Sequence, residues 1–141
     1  MSFGNTFEND LMKAIFWGDA IANLTQNGSS PLTELYFALH TADPGEGGSQ
    51  TTSEVAYTGY TRMPVDRDSG GLAISGGSMS PVAHVDFPTC SAAPTTATHF
   101  SLGTASSGAG KVLLKGPITP NINVLVGGQP RLKNDTVMTL D

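Results

Sequence analysis

The chain has 141 residues, of which 13% are charged, with 17 Gly and 9 Pro. That length ordinarily makes one domain with a single core, and so weakly charged and turn-rich a composition reads as all-β. Seven Lys and Arg against twelve Asp and Glu leave a net charge of −5 with no basic cluster, which disfavours a nucleic-acid partner held through its phosphates, and the single cysteine, Cys90, supplies neither an internal disulfide nor a zinc framework.

The amino-terminal residues, Met1 to Asp10, lack the basic start, apolar run and cleavage site of a secretory signal. No stretch approaches the roughly 18 uninterrupted apolar residues of a membrane span. The expectation is a soluble chain, intracellular when made, with no membrane partner. The N-x-[ST] sequons at Asn23, Asn27 and Asn134 then carry little weight.

Residues 5–24 read as the one helix, because Phe7, Leu11, Ala14, Ile15, Gly18 and Ala22 recur at spacings of three and four. Asn5 and Glu8 form a start resembling a capping box, and Asn27-Gly28 supplies a stop. Phe16, Trp17, Ile21 and Leu24 widen the apolar surface beyond one stripe.

From Pro31 the period changes to two. Residues 34–41 form the best strand, with Leu35, Phe37 and Leu39 on one face and Tyr36, Ala38 and His40 on the other. A polar, Gly-rich loop spans 43–53. Further short strands are predicted at 55–57, 60–65, 72–75, 82–87, 98–102, 111–114, 122–126 and 137–140, with Gly-rich turns between them. This predicts an all-β, jelly-roll-type β-sandwich of roughly eight strands. It divides the chain into a helical arm, 1–28, and a β domain, 29–141. Irregularly spaced Gly-Gly pairs give no internal repeat.

Few residues point to chemistry. Ala105-Ser-Ser-Gly-Ala-Gly-Lys111 resembles a phosphate-binding loop, but Val112 stands where Ser or Thr must hold magnesium, and a strand signal follows where a helix must open. There is no Gly-x-Ser-x-Gly elbow. His40, His84 and His99 read as strand residues with polar partners, so no catalytic residue is assigned. His84 with Asp86 could offer two metal ligands and Asp66-x-Asp68 begins like a calcium loop, but neither has the remaining ligands; a surface pair of Asp66 with Arg67 is the better reading. No metal or cofactor is expected. Aromatic residues gather in the arm, where Phe3, Phe7, Phe16 and Trp17, with Leu11, could make a protein-docking face. The same residues could equally cap the sandwich.

Leu35-Tyr-Phe-Ala-Leu-His-Thr-Ala-Asp-Pro-Gly-Glu-Gly-Gly48, followed by Glu54-Val-Ala-Tyr-Thr-Gly-Tyr60 and Arg62, resembles a group of tailed-bacteriophage virion proteins labelled tail-fibre-like. The helix and the closing Val137 to Asp141 are similar too, so the likeness covers most of the chain. Within that group the chain looks most like a head cement, or capsid decoration, protein of a short-tailed phage. The resemblance implies a non-enzymatic structural protein on the outer head surface of the virion. It implies the major capsid protein as partner, self-association as a dimer or trimer, and no catalytic residues. It also implies that His40 and Asp43 orient the loop that follows the strand. The alternatives are a tail or tail-fibre component, or a carbohydrate-binding β-sandwich using Tyr57 or Tyr60.

Overall fold

A computed structural model describes residues 5–20 and 32–139. In chain order the elements are α1 (Asn5–Phe16), β1 (Glu34–His40), β2 (Met63–Asp66), β3 (Leu72–Ser75), β4 (Ser78–Pro81), β5 (Val85–Asp86), β6 (Thr95–Gly103), β7 (Val112–Val124), β8 (Arg131–Leu132) and β9 (Met138–Thr139). The protein is all-β, with antiparallel strand pairs and one short helix. The residues form two compact units. Unit 1 comprises 1–34, 65–84 and 133–141, and unit 2 comprises 35–64 and 85–132.

In unit 1 the helix packs on the small sheet of order β3-β4-β9. Met12 and Phe16 of the helix, Leu72 of β3, Met79 of β4 and Met138 of β9 are its buried apolar residues. Strands β3 and β4 are joined by Gly76-Gly77, both at positive φ (60° and 74°), as a two-residue hairpin with paired Ser75 and Ser78 requires. The turn is tied to the helix, where Asn9 Oδ1 accepts the Gly77 N–H at 2.9 Å.

The helix ends earlier than the apolar spacing predicts. Gly18 takes a left-handed φ of 78°, and the N–H groups of Trp17 and Asp19 both return to the Lys13 carbonyl, at 2.9 and 3.3 Å. A glycine that reads as part of an apolar stripe is therefore the stop. The stop expected at Asn27-Gly28 lies outside the described residues. Arg67 closes the helix end: its guanidinium donates to the carbonyls of Ala14 (2.9 Å), Ile15 and Leu32 (3.0 Å). It makes these bonds in place of the expected pair with Asp66. Cationic donors suit the carbonyl end of a helix, where backbone acceptors lack intrahelical partners.

Unit 2 is built on the sheet of order β2-β1-β6-β7, in which β2 carries the chain out of the unit after Pro64. Strand β1 pairs with β6 from Tyr36↔Gly103 to His40↔His99. Leu35, Phe37, Leu39, Phe100 and Leu102 are buried, and the rings of Phe37 and Phe100 lie 6.4 Å apart. A second ribbon pairs β5 with β8, and Phe87 and Cys90 continue it by backbone bonds to Pro130 and Gly128.

The two strands predicted at 111–114 and 122–126 are one strand, β7, which runs through Gly116-Pro117 and Pro120. Proline interrupts a central strand but is tolerated where the missing N–H would face away from any partner, and β7 is at the sheet's end. A register shift opposite Ala97/His99 absorbs the irregularity. Strands β4 and β8 are absent from the sequence reading, because Ser-Met-Ser-Pro and Arg-Leu are too short and too weakly apolar to stand out.

Replacing Arg67 with alanine removes three bonds to carbonyls in one step. It is expected to destabilise unit 1 by about 1–3 kcal/mol and to speed amide exchange at residues 13–17. Unchanged exchange there would show that the helix end holds without the guanidinium.

Candidate functional site

The motif residues converge in unit 2, on the loop that leaves β1. Strand β1 is buried on both faces, and the face opposite Leu35, Phe37 and Leu39 is covered by residues 41–54. That loop is held by side chains from beneath. His40 is fully buried; its Nδ1–H donates to the Thr52 carbonyl at 2.9 Å, which leaves Nε2 to accept from the Ser101 hydroxyl at 2.8 Å. Burial holds the His40 pKa below the usual imidazole value, offset in part by the Thr52 bond.

Asp43 shapes the loop's first turn by accepting the Gly45 N–H at 2.8 Å. That bond, then Lys115, holds its carboxyl below the ordinary carboxylate range. Lys115 Nζ on β7 lies 3.1 Å from carboxylate oxygens of both Asp43 and Glu46. Between them is an open cavity of about 250 Å³, lined by Gly45, Glu46 and Val112 to Lys115. His40 and Asp43 thus do orient the loop.

Gln50 is the loop's keystone. Its Nε2 donates to the Tyr36 carbonyl (3.0 Å) and its Oε1 accepts the Ala105 N–H (3.0 Å), while its own N–H donates to the Gly110 carbonyl (2.9 Å). Room for this side chain exists because residues 103 and 110 are glycines. A Cβ at either would come within 2.2 Å of a Gln50 side-chain atom.

Glu54 and Arg62 form a buried pair beside it. Arg62 Nε donates to Glu54 Oε1 (2.7 Å) and Nη2 to Oε2 (2.8 Å), with side-chain exposures of 2% for Arg62 and 16% for Glu54. The remaining guanidinium donors reach the carbonyls of Ala105 (2.9 Å) and Gly108 (2.7 Å). The Glu54 hydrogen bonds raise the Arg62 pKa further. Tyr60 completes the group: its hydroxyl donates to Glu54 Oε1 (2.9 Å) and accepts the Leu39 N–H (3.1 Å), and burial pushes its pKa well up.

This arrangement decides several readings. The Gly-rich segment 105–110 is a hairpin loop between β6 and β7, and it turns carbonyls of Ala105 and Gly108 toward Arg62. An anion cradle needs N–H groups converging at a helix start, and a strand follows here. His40 and Ser101 sit at the distance of a catalytic pair, but both are fully buried and the other ring nitrogen meets a carbonyl, not a carboxylate. Tyr57 and Tyr60 are not exposed platforms for a sugar. Tyr57 is 2% exposed and donates to the Pro88 carbonyl (2.7 Å), burial pushing its pKa up to about 12, and Tyr60 stacks on Phe87 at 6.2 Å.

His84 accepts the Asn134 N–H (3.0 Å), whereas Asp86 pairs with Arg131. Asp68 Oδ1 accepts the N–H groups of Gly70 and Gly71 in a local turn. Among the described residues no group of three or more His, Cys, Asp or Glu could hold a metal, and no helix is long and apolar enough to cross a membrane.

Of the proposed docking residues, Phe3 and the side chain of Phe7 lie outside the described residues. Leu11 is half-buried, Phe16 is 4% exposed, and Trp17 donates its indole N–H to the Leu72 carbonyl (2.8 Å) under the Lys13 ammonium. Phe16 and Trp17 therefore pack within unit 1, and Ile15 is the exposed apolar residue of that turn. Gln50, Glu54, Ser101 and the glycines at 103 and 110 were not singled out as site residues from sequence. Glu54 lies in the quoted motif and Gly110 in the Gly-rich segment before Lys111, but nothing in the local pattern around Gln50, Ser101 or Gly103 marks them.

An all-β chain whose motif residues are engaged in holding a loop has the make-up of a structural protein. The chain belongs to the family described as podophage GP4 fiber I protein gp80, which it matches over residues 2–139. It is a structural virion protein of the short-tailed-phage type. No curated protein matches it.

Substituting Gly103 with alanine forces Gln50 out of its seat and is expected to cost about 1–3 kcal/mol in urea unfolding. Gly47→Ala, where no atom lies within 4 Å of the added carbon, should stay within about 0.5 kcal/mol of the parent. Equal midpoints for the two would remove Gln50 from its central place. The pH dependence follows from His40. Its pKa is lowered in the folded state, so its stabilising contribution is full above the unfolded value of about 6.5 and declines as the pH falls below it. His40→Gln should flatten the stability profile below about pH 6.5; a variant with the parent's slope would refute this.

Proposed function

We propose that the chain is a non-catalytic structural module of the virion's fibre. The observation that carries this reading is the match to a fibre protein family over residues 2–139. The site supports it: His40, Gln50, Glu54 and Arg62 are turned inward to fix loop 41–54, and what reaches solvent is a preorganised polar surface that includes Asp43 and Glu46. Preorganisation lowers the ordering cost of association. A weakly charged surface suits long-lived contacts, which keep charge to the rim.

The second reading is a cement on the outer head surface, binding the major capsid protein. It is favoured by the lack of an internal repeat, since a fibre shaft is built from repeating units and this chain has none. Cementing would act by linkage, because a protein that binds the assembled shell and not its separated parts shifts the equilibrium toward assembly.

Antibody against the purified protein, applied to intact virions with gold detection, separates the two. The fibre reading expects gold at the tail appendages with bare heads. Gold distributed over the heads would overturn it in favour of cementing.

A further inference from the structure

Strand β7 ends the order β2-β1-β6-β7, so among the described residues no strand pairs its outer edge. That edge is guarded unevenly. Lys115, Pro117 and Pro120 fall in its first two-thirds, and charges and prolines are the usual means by which natural sheets discourage edge pairing. Residues 121–126, Asn-Ile-Asn-Val-Leu-Val, contain neither. Leu125 and Val126 at their end are 65% and 62% exposed, the large exposed hydrophobics of unit 2.

The turn that presents them is fixed. Gly128 N–H returns to the Leu125 carbonyl (2.8 Å), Gly127 takes a φ of 82° and donates to the Cys90 carbonyl (2.8 Å), and Cys90 N–H donates to Gly128 (2.9 Å). These bonds hold the backbone of residues 125–128, so the two side chains are displayed from a set position. Asn121 and Asn123 are exposed as well, whereas Val124 is buried and Ile122 half-buried.

We propose that the end of β7, residues 121–124, is a self-association edge, pairing antiparallel with the same segment of a second copy about a two-fold axis at Asn123, with Leu125 and Val126 in the turn beside the contact. A second copy is the favoured occupant on charge. Two chains that each carry −5 repel, and they meet at least cost where neither bears charge; the run from Gly116 to Pro130 holds no ionisable side chain. The segment is also self-complementary. About that axis Asn123 faces its own copy and Ile122 faces Val124, and the turn of residues 125–128 follows directly. Both copies make the same contact, as an isologous interface requires, and the exposed Leu125 and Val126 of each copy lie at its border. The pairing extends the sheet by backbone bonds, as in other strand additions. It holds whether the protein sits on fibre or head, so its failure would leave the reading above standing.

Cysteine cross-linking of the full chain tests both the edge and its register. Directly opposed residues in an antiparallel pair lie about 4.5–5.5 Å apart between Cα atoms, inside the range a disulfide spans. Asn123→Cys should therefore give a covalent dimer on mild oxidation, while Thr119→Cys, also exposed but out of register with itself, should remain monomeric. The native Cys90 is buried and does not compete. In sedimentation equilibrium the parent should be dimeric and Leu125→Asp monomeric, with an unchanged circular dichroism spectrum. A monomeric parent, equal cross-linking of the two cysteine variants, or a Leu125→Asp chain that still dimerises would each overturn the proposal.

Discussion

The buried Glu54–Arg62 pair is the constraint on which the loop architecture of unit 2 rests. One guanidinium joins three pieces of chain distant in sequence: the carboxylate of Glu54, the hairpin carbonyls of Ala105 and Gly108, and, through Glu54, the Tyr60 hydroxyl that accepts from β1. Removing charges from water is costly, and a buried pair offsets that cost only when its remaining donors and acceptors are matched. Here the guanidinium's bonds include two neutral carbonyls, and no described buried side-chain nitrogen or oxygen is left without a partner. Such a network contributes less to net stability than to uniqueness, because any other arrangement of the three pieces leaves a buried charge exposed to mismatch.

Around this pair the other polar groups take complementary roles. Gln50 satisfies backbone groups of β1 and the β6–β7 hairpin, and His40 joins the loop's end to β6. Ser53 adopts a positive φ of 53°, uncommon for a residue with a side chain, and its carbonyl accepts both the N–H and the hydroxyl of Thr41. The polar face of β1, which period-two reading would send to solvent, is thereby turned into a second interior.

Unit 1 shows a different balance. Its core is small and rich in methionine, with Met12, Met79 and Met138 around Phe16 and Leu72, and methionine fills irregular spaces well but specifies them poorly. Directional bonds supply what the packing lacks. Asn9 to the β3–β4 turn, the Trp17 indole to Leu72 and Arg67 to the helix end fix the helix along its length. Phe16 and Trp17 are thus employed in seating the helix, and Ile15 is left exposed beside them.

The sequence by itself determined the class of the fold, the strands at 34–40 and 72–75, the turn at Gly76-Gly77 and the turn chemistry of Asp43 before Pro44. Each of these rests on local physics: side-chain period, positive-φ glycines, and a short polar side chain before proline. What only the tertiary structure decided depends on neighbours that the local pattern does not contain. Gly116-Pro117 and Pro120 look like breaks until β7 is seen to be an edge strand, where an absent N–H costs no ladder bond. Gly18 looks like one more small residue on a helical stripe until its positive φ ends the helix. Gln50, Ser101, Gly103 and Gly110 look like ordinary loop and strand residues, because a site made by burying polar groups is defined by what covers them. Coverage is a property of the folded chain, and no spacing along the sequence encodes it.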